Sequence, residues 1–175
     1  MEHKELETLF SESKIKERVA ELAKEITHDY EGKKPVFVGV LNGAFAFFSD
    51  LVRSAELDAE VDFLRASSYE GTETSGEVSL SLSMKCDVRG KDVIIVEDIL
   101  DTGNTLKKLY GEVMQMNPSS VKTAVLLDKP SRRVNDFKAD YVCFEIPDLF
   151  VVGYGLDYNE KYRNLPFVAV YKGNE

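Results

Sequence analysis

Three carboxylates, Glu97, Asp98 and Asp101, stand directly before the turn residues Thr102, Gly103, Asn104 and Thr105, in a chain whose net charge is already −9. The four residues before them, Val93 to Val96, are all aliphatic and read as a buried strand; those after, from Leu106, read as a helix. In an open parallel sheet, ligands gather beyond the carboxyl ends of the strands, and the free amides that open a helix favour an anion. The Thr-Gly-Asn-Thr turn is therefore a phosphate cradle. Carboxylates beside a phosphate repel it unless they bind something else, such as sugar hydroxyls or a magnesium ion. A ribose carrying a 5-phosphate and a magnesium-bound pyrophosphate meets both demands. The stretch lacks the GxxxxGK[ST] pattern and its lysine, which argues against a nucleotide triphosphatase.

The elements that must position these groups are legible from periodicity. Residues 11 to 31 carry Ile15, Val19, Leu22 and Ile26 at helical spacing, with Ser11 or Ser13 as N-cap and Gly32 just past the end. Residues 35 to 43 read as an apolar strand entering a glycine turn, and 44 to 52 as a helix. Residues 59 to 69 alternate like a half-exposed strand, 70 to 77 form a polar loop, and the following "VSLSLSM" alternates again. The strand at 91 to 98 precedes a helix with Leu106, Leu109, Val113 and Met116 on one face, stopped by Asn117-Pro118. Further strands are expected at 121 to 127, 141 to 146 and 167 to 172. Continuous apolar strands alternating with helices predict a mostly parallel α/β sheet covered on both faces.

With 175 residues and 43% apolar content, the chain is large enough to bury a substantial core as one domain. It shows no run approaching the roughly 20 apolar residues of a membrane span, and its charged first residues are unlike a signal peptide, so a soluble, cytoplasmic protein is expected. The excess of acids, 31 against 22 Lys and Arg, argues against a nucleic-acid partner. Cys86 and Cys143 lack CxxC spacing and are expected to be reduced; His3 and His28 make no zinc pattern.

Alone, Glu97 and Asp98 can merely end a strand, and Asp101 or Thr102 merely cap a helix. The full string from Val93 to Thr105, four apolar residues, two acids, two apolar residues and then Asp-Thr-Gly-Asn-Thr, resembles the motif of the type I phosphoribosyltransferases. The segments "VGVLNGAFAFFSDL", "VDFLRASSY", "LLDKPSRR" and "FEIPDLFVVGYGLDYNEKYRNLP" narrow the resemblance to the hypoxanthine-guanine branch, over essentially the whole length.

That resemblance implies the type I phosphoribosyltransferase fold: a single domain over 1 to 175, with a core of roughly 30 to 145 and a small hood built from the N-terminal segment and roughly 146 to 175. It implies purine salvage, in which phosphoribosyl pyrophosphate and hypoxanthine or guanine give IMP or GMP and pyrophosphate, with magnesium as cofactor. In this reading Glu97 and Asp98 take the ribose hydroxyls, and residues Asp101, Thr102, Gly103, Asn104 and Thr105 take the 5-phosphate. Asp101 also accepts the purine proton, as a positioned general base can. Lys129 donates to the 6-oxo oxygen, Phe150 stacks on the base, and Val151 and Asp157 meet it through their backbones; the residues alone would put Phe150 and Val151 in the core. Leu41, Asn42 and Gly43 form the pyrophosphate loop, where relatives can hold a cis peptide and often carry Lys or Arg at the Asn42 position. Arg163 approaches pyrophosphate. Glu97, Asp98 and Asp157 are the metal-side carboxylates. Ser68 and Tyr69 open a lid. The family also implies a homodimer or homotetramer. Two rival readings are a phosphoribosyl pyrophosphate-sensing regulator of the same fold, which should show a basic face, and a magnesium-dependent phosphatase, which would leave Lys129 and Phe150 unexplained.

Overall fold

The computed structural model describes residues 4–65 and 84–173. Its elements run β1 (Leu6–Phe10), α1 (Glu12–Asp29), β2 (Val36–Leu41), α2 (Phe45–Ser54), β3 (Glu60–Arg65), β4 (Asp92–Leu100), α3 (Asn104–Met114), β5 (Ser120–Asp128), a short 3₁₀ turn (Pro130–Arg132), β6 (Tyr141–Glu145), β7 (Val151–Val152) and β8 (Val168–Tyr171). The central sheet has the order β3-β2-β4-β5-β6, with every neighbouring pair parallel. A second, three-stranded antiparallel sheet has the order β1-β8-β7.

Both faces of the central sheet are dry, as the unbroken aliphatic strands predict. On β4, Ile94 and Val96 join a buried cluster with Ile15, Val19, Leu22, Phe47 and Leu51 from α1 and α2. Val93 and Ile95 point the other way, into a cluster with Leu106, Leu109 and Val113 of α3. Helix α1 starts where Ser11 accepts the amide of Lys14 at 3.3 Å, and it is tied to β6 by Arg18, which donates to the carbonyls of Val142 and Cys143 at 2.8 and 2.9 Å. The small sheet is not a separate body: Val151, Tyr154 and Val168 belong to the same cluster as α1 and α2, and the Tyr154 hydroxyl donates to Asp50 of α2 at 2.6 Å.

Several expectations change in detail. Strand β4 continues to Leu100 because Ile99 and Leu100 still pair with Leu127 and Asp128 of β5, so Glu97 and Asp98 lie inside the strand rather than past its end. Met116 lies beyond α3, although it still packs on the same cluster. Strand β1 was hidden by its short, mixed sequence LETLF; only its pairing with β8 makes it a strand. The segment 167 to 172 supplies β8 to the antiparallel sheet instead of the parallel one. Beyond Arg65, the remainder of the half-exposed strand, the 70 to 77 loop and almost all of "VSLSLSM" lie outside the described residues, as do Ser68 and Tyr69. Cys86 and Cys143 are free thiols, and among the described residues no helix is long and apolar enough to cross a membrane.

One pairing limit shapes the site. The β2–β4 ladder stops at Gly39 opposite Val96, so beyond Val96 strand β4 pairs with β5 alone and its other edge faces the turn that leaves β2. Because the sheet is covered on both sides, Ile94→Ala and Ile95→Ala, each fully buried, should each cost about 2–5 kcal/mol of stability. Urea unfolding checks this, and a sheet covered on one face only would spare one of the two.

Candidate active site

Glu97 is 9% exposed and Asp98 only half-buried, yet both carboxyls are drawn above the ordinary carboxylate range. For Glu97 the first cause is desolvation and the second is the charge of Asp98, and its rise is the larger. For Asp98 desolvation leads; hydrogen bonds and the Arg163 charge oppose it without overcoming it. Two adjacent acids in so dry a place do not both ionise easily. Local amides supply part of their solvation: Asp98 N–H donates to Glu97 Oε1 at 3.0 Å and Ile99 N–H to Asp98 Oδ1 at 2.7 Å.

Against the other face of Asp98 lies the turn leaving β2. A Cβ added at Gly43 would sit 1.8 Å from Asp98 Oδ2, so only glycine lets this turn approach the carboxylate. The Leu41–Asn42 peptide in that turn is cis, and Asn42 is exposed. Gly155, at φ +104°, closes the stack from beyond: a Cβ there would meet the Gly43 carbonyl oxygen at 2.0 Å. Gly155 is in turn bound to Arg163 through two hydrogen bonds of 2.9 Å, its amide donating to the Arg163 carbonyl and its carbonyl accepting from Nη1. Arg163 Nη2 is 2.9 Å from Asp157 Oδ1 and 3.3 Å from Glu160. The turn from Leu41 to Gly43, Arg163 and Asp157 therefore meet near the end of β4, with Arg163 and Asp157 paired to each other.

The turn after β4 leads into α3 without a side-chain cap. Gly103, at φ +88°, is the N-cap of α3; it offers no side-chain cap, and the first helical turn carries no acid. The Asn104 amide reaches Thr102 Oγ1 at 3.4 Å, a long contact that leaves the opening of the helix free for an anion. Glu97, Asp98, Asp101, Thr102, Gly103 and Thr105 line one cavity of about 250 Å³. Behind it, residues that sequence reasoning missed hold the turn. Arg133 donates to the Asp101 carbonyl at 2.6 Å while pairing with Asp128, and Asn135 Nδ2 donates to Asn104 Oδ1 at 2.9 Å. The Val134 amide donates to the Thr102 carbonyl at 3.1 Å. The Asp101 carboxylate accepts from Arg132 Nε at 3.0 Å. The two adjacent arginines after Lys129 were the available signal.

Lys129 follows β5 and is 7% exposed, with its amide on the Leu100 carbonyl at 2.9 Å and its ammonium 3.6 Å from Asp148. Val151 is buried in β7, as its apolar neighbours suggest, but Phe150 is 53% exposed rather than core. Its ring is propped edge-on by Tyr158 at 5.7 Å and Tyr171 at 6.1 Å, which offers a fixed, wet aromatic face.

Comparison with known proteins agrees with this geometry. The phosphoribosyl transferase domain profile matches residues 5–159. The hypoxanthine-guanine phosphoribosyltransferase of Streptococcus pneumoniae is 47% identical over 165 residues, covering 94% of this chain and 92% of that one. The Streptococcus thermophilus protein of the same name is 48% identical over the same coverage. The crystal structure of a hypoxanthine phosphoribosyltransferase from Staphylococcus aureus superposes with a TM-score of 0.91 at 45% identity, covering 97% of this chain and 94% of that chain. With nearly its full length matched at this level, the chain belongs to the phosphoribosyl transferase family, and within it to the hypoxanthine-guanine phosphoribosyltransferases.

Proposed function

We propose that this purine phosphoribosyltransferase transfers the 5-phosphoribosyl group of phosphoribosyl pyrophosphate to N9 of hypoxanthine or guanine, giving IMP or GMP and pyrophosphate. The observation that carries this reading is that a desolvated acid pair and an uncapped helix start open into the same cavity. A phosphate alone needs no acids there, and a metal alone needs no cradle. The cavity is smaller than the roughly 300–1,000 Å³ of pockets that enclose a whole drug-sized ligand. It therefore takes the sugar phosphate, with base and pyrophosphate on its open flanks.

In this reading Thr102 to Thr105 bind the 5-phosphate through amides and hydroxyls, and Glu97 and Asp98 accept hydrogen bonds from the ribose 2- and 3-hydroxyls. Phe150 stacks on the purine, the backbones of Val151 and Asp157 contact its edge, and Lys129 donates to its 6-oxo oxygen, which the 6-amino group of adenine does not replace. Asp101 takes the proton that the purine loses as its nitrogen attacks the anomeric carbon. Leu41, Asn42 and Gly43 contact pyrophosphate through backbone N–H groups, and Arg163 joins them once its pair with Asp157 opens.

The donor set suits magnesium. Glu97, Asp98 and Asp157 are hard oxygen ligands, and a cation relieves the cost of burying the first two. Among the described residues no cluster of three such groups is close enough to hold a metal unaided, which fits an ion that takes one or two carboxylates plus substrate oxygens. When bound, it neutralises charge on the leaving pyrophosphate. The same reading carries a cytoplasmic location and a homodimer or homotetramer.

Turnover of phosphoribosyl pyrophosphate with hypoxanthine, guanine or xanthine to the monophosphate tests the reading directly. Asp101→Asn should lower kcat by roughly 10²- to 10⁴-fold with little change in phosphoribosyl pyrophosphate affinity; near-normal turnover would remove Asp101 from the chemistry. Proton linkage tests the acid pair. The free protein holds a proton on Glu97 at pH values above its ordinary 4.5, whereas ribose hydroxyls and magnesium favour the ionised pair. Affinity should therefore rise with pH across that window, with proton release on binding. Calorimetry in buffers of different ionisation enthalpy should register this release in the native chain and less of it in Glu97→Gln; equal release in both would reject the assignment.

A further inference from the structure

We infer that Arg132 is a positioning residue for the reaction, clamping the proton-accepting and base-recognising sides of the purine site at a fixed separation; this rests on the function proposed above. Arg132 ends the 3₁₀ turn that follows Lys129. Its Nε donates to Asp101 Oδ1 at 3.0 Å, and its Nη1 lies 3.6 Å from Asp148 Oδ2. Asp148 Oδ1 in turn lies 3.6 Å from Lys129 Nζ. Four charges of alternating sign thus run Asp101, Arg132, Asp148, Lys129, from the turn after β4 to the segment before β7. The first would meet the imidazole side of a purine, and the last its 6-oxo oxygen.

The geometry leaves the reactive groups usable. Arg132 engages Oδ1 of Asp101, and among the described residues no donor engages Oδ2, so one carboxylate oxygen stays available to the purine N–H. Arg133 cannot substitute, because its guanidinium is committed to Asp128 and to the Asp101 carbonyl. A planar guanidinium with several fixed donors can hold two carboxylates at once, whereas an ammonium on a flexible stem holds one as a point charge. Without the clamp, the Asp101 carboxylate is free to rotate and Asp148 is left with Lys129 alone. The base would then be held at the wrong distance from its proton acceptor, while the phosphate cradle, held separately by Arg133, Val134 and Asn135, stays formed.

The test is steady-state kinetics on Arg132→Ala and Arg132→Lys, with each substrate varied at saturation of the other. Half exposed, Arg132 can be replaced without emptying the core, and thermal melts verify folding. Arg132→Ala should lower kcat/KM for hypoxanthine by about 3- to 30-fold, the range between losing exposed ion pairs and misplacing a reactant. KM for phosphoribosyl pyrophosphate should stay within about twofold. Arg132→Lys should restore part of the loss, and Asp148→Asn added to Arg132→Ala should cost less than the two separate effects combined. Unchanged kcat/KM for hypoxanthine, a rise in KM for phosphoribosyl pyrophosphate as large as that for hypoxanthine, or strict additivity with Asp148→Asn would each overturn the inference while leaving the activity itself standing. A native chain that makes no monophosphate would instead remove the reading on which it rests.

Discussion

Keeping two carboxyl groups dry at the end of a central strand is the constraint that the surrounding structure serves. Glu97 is buried and Asp98 partly so, so much of their solvation must come from the chain, and partners that reach so close must be small. Backbone provides them: the amides of Asp98 and Ile99 beside the acids, the side-chain-free Gly43 against Asp98, and Gly155 packed on Gly43. The resulting wall is made largely of peptide groups whose orientation is set by folding. Polar groups whose orientation folding has already set need no rearrangement to act, which is how electrostatic preorganisation is built into a fold.

Parallel strand order makes this convergence possible. Because β2, β4 and β5 run the same way, the turns that follow them, Leu41–Gly43, Asp101–Thr105 and the segment from Lys129, all emerge on one edge of the sheet. An antiparallel arrangement would have sent alternate turns to opposite ends. The second sheet adds what strand ends do not supply, an aromatic surface. Phe150 sits where β7 begins, and Tyr171 of β8 helps to fix its ring. Tyr154 and the shared apolar cluster seat this sheet on α2, so the aromatic face and the strand ends keep their relation.

Charge is arranged locally in opposition to the global balance. Although the chain is acidic, its positive groups gather at this edge of the sheet: the start of α3, Lys129, Arg163 and the adjacent arginines at 132 and 133. Each of these side chains is matched to a carboxylate, Lys129 and Arg132 to Asp148, Arg133 to Asp128 and Arg163 to Asp157.

The sequence by itself determined the elements and the chemistry of single segments. The period of α1, the aliphatic run of β4, the acid pair and the glycine turn before α3 all follow from interactions between residues a few positions apart, which sequence order preserves. The same locality explains why one thirteen-residue stretch and its companion segments could carry the family resemblance. Tertiary structure alone decided the rest: that LETLF becomes a strand by pairing with β8, that Phe150 stands exposed while Val151 is buried, that Arg163 rests on Asp157, and that Arg132 lies between Asp101 and Asp148. These depend on which distant segments the strand order makes neighbours, and on how closely backbones may approach where a side chain is missing, and neither is encoded in spacing along the chain.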